Sequence, residues 1–338
     1  MRPHRRTPAV LVALVGAALA LSGCSSAGDD APAAAGSPSA EAAEAAGPRV
    51  VQTDQGEVTV PADPQRVVVL NYALAGYLYD LDVPVLATIP ESADGTGVYS
   101  EMWAEDAEAD GTEFLPWSTD GFDLEAVLAM EPDLIVAGGI GFPLFQATQA
   151  YDQLAQIAPT VIVSGTLTDW RGQFAFLADD VFGKAEVFDE AVAAYEERVA
   201  EVRDAITPPA GPVTYVSITA DGTPYVLIED QGLPLDLAAV GLEPAPVFAE
   251  GGFEPYTAGG DMFELSTEQV GQVLTQPTLF VLGFNGDTTD VATLEQNPVW
   301  AALPSFAAGQ AYDLPYWSLR GDYDEALALL DIVEEQFS

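Results

Sequence analysis

The run Val67-Val68-Val69-Leu70 is continuously apolar, the pattern of a parallel strand covered on both faces. It opens a series of alternating signals. Residues 73–81 read as a short helix, 84–88 as a second strand, and 122–130 as a helix with Leu124, Val127 and Leu128 on one face. A strand over 134–137 runs into Gly138-Gly139, followed by a helix over 151–157 and a strand over 161–163. The next segment has a different period. From 184 to 206, apolar residues fall at Phe188, Val192, Tyr195, Val199, Val202 and Ile206, the four-and-three spacing of one helix face. Gly183 precedes this helix and Pro208-Pro209 ends it. At 1.5 Å per residue it is about 34 Å long, enough to cross a domain. Beyond it, strands over 213–218, 225–228 and 279–282 alternate with helices over 235–240, 267–274, 298–303 and 323–337. Strands alternating with helices predict an α/β fold. We expect two Rossmann-like lobes with parallel-rich sheets, 50–170 and 210–338, joined by one long helix within 171–209.

The N-terminus has another pattern. Arg2, Arg5 and Arg6 precede an uncharged apolar run over 9–21, shorter than the roughly 20 residues a membrane span requires. It has the length of a signal-peptide core. The run closes on Leu21-Ser22-Gly23-Cys24, which looks like a bacterial lipobox, the cysteine sulfur receiving a lipid and the residue becoming the new N-terminus. An ordinary secretory signal with an incidental cysteine is the alternative. Residues 25–48 are almost wholly Ala, Ser, Gly, Pro, Asp and Glu and cannot bury enough apolar surface to offset their ordering entropy. The expected order is a signal peptide over 1–23, then Cys24 and a flexible tether over 24–48, with the fold beginning near Val50.

Charge and composition narrow the chemistry. The chain of 338 residues has a net charge of −43. Cleavage before Cys24 removes three of its ten basic residues and leaves −46 against 53 acids. With hydrophobic residues at 49%, this is a folded chain with an acidic surface and not a disordered polyanion. Nucleic-acid binding, which needs a basic footprint, is excluded. Cys24 is the only cysteine and His4, ahead of the cleavage site, the only histidine. The mature chain therefore has no disulfide framework, no thiolate or histidine metal site, and no imidazole base or Ser-His-Asp triad. Carboxylate chemistry remains open.

Several segments together resemble the periplasmic-binding-protein class of siderophore and cobalamin receptors, whose two lobes are bridged by one helix. They are Pro64-Gln65-Arg66-Val67-Val68-Val69-Leu70, Phe122-Asp123-Leu124-Glu125-Ala126-Val127 through Pro132-Asp133-Leu134-Ile135, Leu265-Ser266-Thr267-Glu268-Gln269-Val270, and Pro315-Tyr316-Trp317-Ser318-Leu319-Arg320-Gly321. Their order around the long helix carries the resemblance, which covers nearly all of 50–338. It implies a monomeric, membrane-anchored, extracytoplasmic binding component of an ABC importer that is not an enzyme. Such a protein captures a ferric siderophore between its lobes and delivers it to the permease; it has no resident cofactor, and iron enters only within the chelate. The resemblance also implies that Glu125 and Glu268, one on each lobe, dock on the permease. Each falls in the first turn of its helix, where a carboxylate is favoured in any case.

Ligands of open α/β sheets lie beyond the carboxyl ends of the strands. That rule nominates the loops 71–72, 139–142, 164–171, 220–225, 284–287 and 316–320, with Tyr72, Phe142, Trp170, Tyr225, Phe284 and Trp317 as candidate walls. Trp117 and Tyr256 fall in loops outside these six. Of the basic residues, Arg49 borders the tether, Arg66 precedes its strand, and Lys184, Arg198 and Arg203 lie on the long helix off its apolar face. Arg171 and Arg320 remain as cleft arginines, one from each lobe, able to donate to chelating oxygens; the alternative is ion pairing with Asp169 or Asp322. Two arginines in a field of −46 favour a neutral or cationic ferric hydroxamate over an anionic tris-catecholate. Cobalamin, haem held through a tyrosine, and a carboxylate-dependent surface hydrolase are the competing readings. No spacing of acids singles out a hydrolytic pair.

Overall fold

The computed structural model describes residues 47–338 except residue 259. The predicted signal peptide, Cys24 and the tether as far as residue 46 lie outside the described residues. The two apolar series fold into two five-stranded sheets within one unit, 45–338.

In the N-terminal sheet all strands are parallel, in the spatial order Glu113–Phe114, Val85–Thr88, Val67–Val69, Leu134–Gly138, Thr160–Val163. Every residue of Val67–Val69, Leu134–Gly138 and Thr160–Val163 is buried, as the continuous apolar runs require of a sheet covered on both faces. The C-terminal sheet is mixed, in the order Met262–Glu264, Pro224–Leu227, Val213–Ile218, Thr278–Gly283, Ala311–Asp313. Its last three strands are parallel, but Pro224–Leu227 pairs antiparallel with both neighbours. Only five residues separate Val213–Ile218 from Pro224–Leu227, too few for a parallel crossover, so the chain returns as a hairpin.

The connecting helix spans Ala185–Ala205, one residue shorter at each end than the periodicity predicts. Tyr195 and Val202 are fully buried, while Phe188, Val192 and Val199 pack at the edge of the same core. That core is continuous from Val67 and Val136 in one lobe to Tyr215 and Phe280 in the other. The last helix, Tyr323–Phe337, lies along the connecting helix, and Arg198 ties the two together through Asp331 (2.7 Å) and Glu334. Its N-terminus belongs to both lobes: Asp322 abuts Gly76 of the helix Ala75–Asp80.

Several elements were not foreseen, the short edge strands Glu113–Phe114, Met262–Glu264 and Ala311–Asp313 among them. A hairpin of Arg49–Thr53 and Gly56–Val60 precedes the first sheet strand and buries Val51, Val58 and Val60. A helix over Ala104–Asp110 fills the span between the second and third N-terminal strands. The helix predicted over 151–157 begins at Phe142, because Pro143 occupies the first turn, where a missing N–H costs nothing.

Candidate functional site

The carboxyl ends of the parallel strands in both lobes face one another across a cavity of about 370 Å³, within the range of small-molecule sites. From the N-terminal lobe, Asn71 and Tyr72 follow Val67–Val69, residues 89–92 follow Val85–Thr88, and Phe142 follows Leu134–Gly138. Asn71 fixes its own loop: its side-chain amide donates to Gly138 O at 2.6 Å, and its Oδ1 accepts from Ala73 N. Tyr72 donates to Val98 O at 2.8 Å and packs on Trp103, ring centroids 5.1 Å apart. Trp117 donates to Pro90 O at 2.7 Å and lies 6.3 Å from Phe142. From the C-terminal lobe come Thr219, Tyr225, Tyr256, Phe284, Asn285, Trp317 and Arg320. Tyr225 sits 5.9 Å from both Tyr256 and Phe284, making one aromatic wall.

Six predicted site residues thus meet at the cavity: Tyr72, Phe142, Tyr225, Phe284, Trp317 and Arg320. Trp170 and Arg171 do not. Their helix, Trp170–Ala175, follows the strand at the sheet edge beside the connecting helix. There Trp170 is 2% exposed and packs on Tyr195 and Tyr323 at 4.9 and 5.4 Å. The Arg171 guanidinium lies over Trp170 and Tyr195, at 4.6 and 4.5 Å, and reaches Asp236 at 3.4 Å. Its ion pair is therefore neither of those anticipated, and it binds lobe to lobe.

Arg320 is also paired. Asp261 accepts from its Nε at 2.7 Å and from its Nη2 at 3.0 Å, and Nη2 also reaches Tyr256 Oη at 3.2 Å. The guanidinium lies 5.7 Å from the Phe284 ring centre. Gly141 makes this packing possible: it has φ +85°, and a Cβ there would come within 3.0 Å of Arg320 Cζ. Burial opposes the charge on Arg320, but the Asp261 carboxylate more than restores it, leaving its pKa above the ordinary value.

Sequence reasoning missed the acids. Glu91, Asp322 and Glu325 all line the cavity. Asp322 and Glu325 close a reciprocal cap on the last helix, Asp322 Oδ1 accepting from Glu325 N at 3.0 Å and Glu325 Oε2 from Asp322 N at 3.2 Å. Ser100 donates to Glu325 Oε1 at 2.6 Å. Burial raises the pKa of both carboxyls; the charge of Glu325 adds to the shift of Asp322, while the hydrogen bonds from Ser100 and Asp322 N pull Glu325 partly back. Burial also pushes Glu91 up to about 7, with Arg320 pulling it partly back. The carboxyl-end rule itself reaches Glu91 once the loop after the strand Val85–Thr88 is included. Trp117 and Tyr256 were placed outside the nominated loops, yet both line the cavity.

Glu125 and Glu268 lie outside the cavity, exposed on the first turns of Leu124–Ala129 and Thr267–Val273. Asp123 caps the first helix through Ala126 N at 3.0 Å, and Ser266 with Gln269 forms a capping box on the second. Among the described residues there is no cluster of metal-ligating side chains and no helix long and apolar enough to cross a membrane.

Comparison with known proteins agrees with this architecture. The ferric enterobactin-binding periplasmic protein FepB of Escherichia coli O6:H1 is 29% identical over 86% of this chain and 91% of its own. YhfQ of Bacillus subtilis (strain 168), assigned as an ABC transporter substrate-binding lipoprotein, is 24% identical over 85% of this chain and 87% of its own. The crystal structure of holo-ViuP superposes with a TM-score of 0.72 at 25% identity, covering 86% of this chain and 95% of that one. By name, the first binds ferric enterobactin and the second is a substrate-binding lipoprotein of an ABC transporter. Residues 67–316 match the periplasmic binding protein family, and the chain, with its paired lobes, single bridging helix and aromatic cavity, belongs to that family.

Proposed function

We propose that this protein is the substrate-binding component of an ABC importer and that it captures a ferric siderophore between its lobes. The observation that carries this reading is the cavity itself. It is walled by aromatic rings from both lobes, has a few convergent polar groups, and sits where α/β sheets place ligands. On this reading iron arrives already chelated, as cargo of the ligand. The single guanidinium in the wall is already neutralised by Asp261, and three carboxyls stand beside it. An anionic tris-catecholate would find no uncompensated cation in this wall and a strongly acidic chain around it, so a neutral or cationic ferric hydroxamate is the favoured cargo.

The same reading gives Glu125 and Glu268 to the permease. They are exposed, fixed by capped helices, and one belongs to each lobe. A monomer held at the extracytoplasmic face by lipid on Cys24 completes the arrangement, supported by the Leu-Ser-Gly-Cys sequence and by the lipoprotein name of a relative. Tryptophan-fluorescence titration of the full chain, purified in detergent, tests the cargo. Ferric hydroxamates should quench at lower concentration than ferric tris-catecholates, haem or cobalamin. Tighter catecholate binding would overturn the hydroxamate assignment, and binding of haem or cobalamin alone would overturn the siderophore reading.

A further inference from the structure

Two of the three cavity carboxyls already have work. Asp322 and Glu325 are engaged by each other's backbone N–H groups, and Glu325 also by Ser100. Glu91 differs. Among the described residues, its side chain accepts no hydrogen bond and lies beyond ion-pair distance of Arg320, whose guanidinium is held by Asp261. Its backbone, however, is fixed: Glu91 O accepts from Asn285 Nδ2 at 3.1 Å. That bond identifies the nitrogen end of the Asn285 amide and turns its oxygen the other way. Asn285 Oδ1 is buried and accepts no hydrogen bond among the described residues, and Asn285 also lines the cavity.

The cavity is therefore lined by a carboxyl group and an amide oxygen from opposite lobes, neither of which accepts a hydrogen bond among the described residues. A buried acceptor such as Asn285 Oδ1 left in this state costs free energy until a donor arrives, and the half-buried Glu91 carboxyl beside it has lost much of its water. A water satisfies an amide oxygen, but an enclosed carboxylate is best matched by a cation. We propose that Glu91, with Asn285 beside it, is a recognition subsite for a protonated amine carried by the ligand, so that the cargo is a ferric chelate with a pendant ammonium group. This rests on the ferric-chelate reading above and narrows it from a charge class to a functional group and the residue that reads it.

The test uses the full chain in detergent and one linear ferric trihydroxamate in two forms, with a free terminal amine and with that amine acetylated. Acetylation removes the charge and leaves the iron centre untouched. For the wild type, acetylation should weaken binding about tenfold, as expected for a charge-assisted hydrogen bond. Glu91→Gln should weaken the amine form by a similar factor and leave the acetylated form unchanged, so that the two losses do not add. Equal affinity of the wild type for the two forms would overturn the subsite while leaving the siderophore reading intact. Failure of both forms to bind would overturn both. Should Glu91→Gln fail to fold, the two ligand forms compared on the wild type alone decide the matter.

Discussion

Two of the contacts between the lobes differ in their physics. Beside the connecting helix, Trp170 is buried against Tyr195 and Tyr323, Arg171 crosses to Asp236, and Gly232 N donates to Thr168 O at 2.8 Å. Beside the cavity, the loops meet through Asn285 Nδ2 to Glu91 O at 3.1 Å and Ser92 Oγ to Asn285 O at 3.4 Å. Burying one tryptophan removes about 150–250 Å² from water and is worth roughly 4–6 kcal/mol. Two hydrogen bonds, one of them long, contribute about 1–2 kcal/mol net. The first contact is a joint; the second, these two loop hydrogen bonds, is a weak catch beside the Ser100–Glu325 bond that also crosses there. Each lobe supplied one arginine to the sequence-based site, and the comparison separates them: Arg171 serves the joint, Arg320 the cavity wall.

The largest effect expected from breaking this contrast is at the joint. Trp170→Ala should lower the unfolding free energy by about 3–5 kcal/mol in urea titration; a loss below about 1 kcal/mol would mean that the two lobes do not share a core there. Next comes Asp236→Ala, which strands a partly exposed guanidinium. It should cost about 1–2 kcal/mol, after allowance for the solvent that reaches Arg171, and leave chelate affinity unchanged. A change in affinity would return Arg171 to the binding site.

Titration gives a smaller effect spread over both contacts. Burial pushes Asp236 and Glu91 each up to about 7, with Arg171 and Arg320 respectively pulling back. A carboxyl whose folded pKa is raised stabilises the fold below its unfolded value and loses that contribution as pH rises through the folded one. The ligand-free chain should therefore have a higher thermal midpoint at pH 5 than at pH 8, with Asp236→Asn flattening part of the slope. A midpoint that climbs from pH 5 to 8 would contradict both shifts. Smallest is Asn285→Ala, expected to change stability by about 0.5 kcal/mol or less while speeding chelate release a few-fold in stopped-flow fluorescence. Unaltered release would mean that the loop contact is no catch.

The lobes and their joint were legible because they rest on period. Val67-Val68-Val69-Leu70 could only be a covered strand, and the four-and-three spacing from Phe188 to Val202 located the connecting helix to within a residue. The reversal at Pro224–Leu227 was not legible as antiparallel, since a buried strand has the same apolar pattern in either direction. Aromatic cavity walls followed from the carboxyl-end rule wherever a central strand feeds the crevice, as at Tyr72 and Phe284. The rule failed at Trp170 because it does not say which neighbour an edge strand faces. Ion pairing was the least legible feature. Asp236 and Asp261 lie 65 and 59 residues from the arginines they hold, and nothing local marks them.

The reciprocal cap of Asp322 and Glu325 has a consequence for how such a receptor changes its cargo over time. Those carboxyls line the cavity and also start the helix that braces both lobes, so substituting either to suit a new chelate risks the fold. Glu91 and Asn285 line the same cavity from loops that start no helix of that kind. Divergence in specificity should therefore accumulate in the loops, while the capped wall stays as it is, a fixed acidic background against which new cargoes are selected.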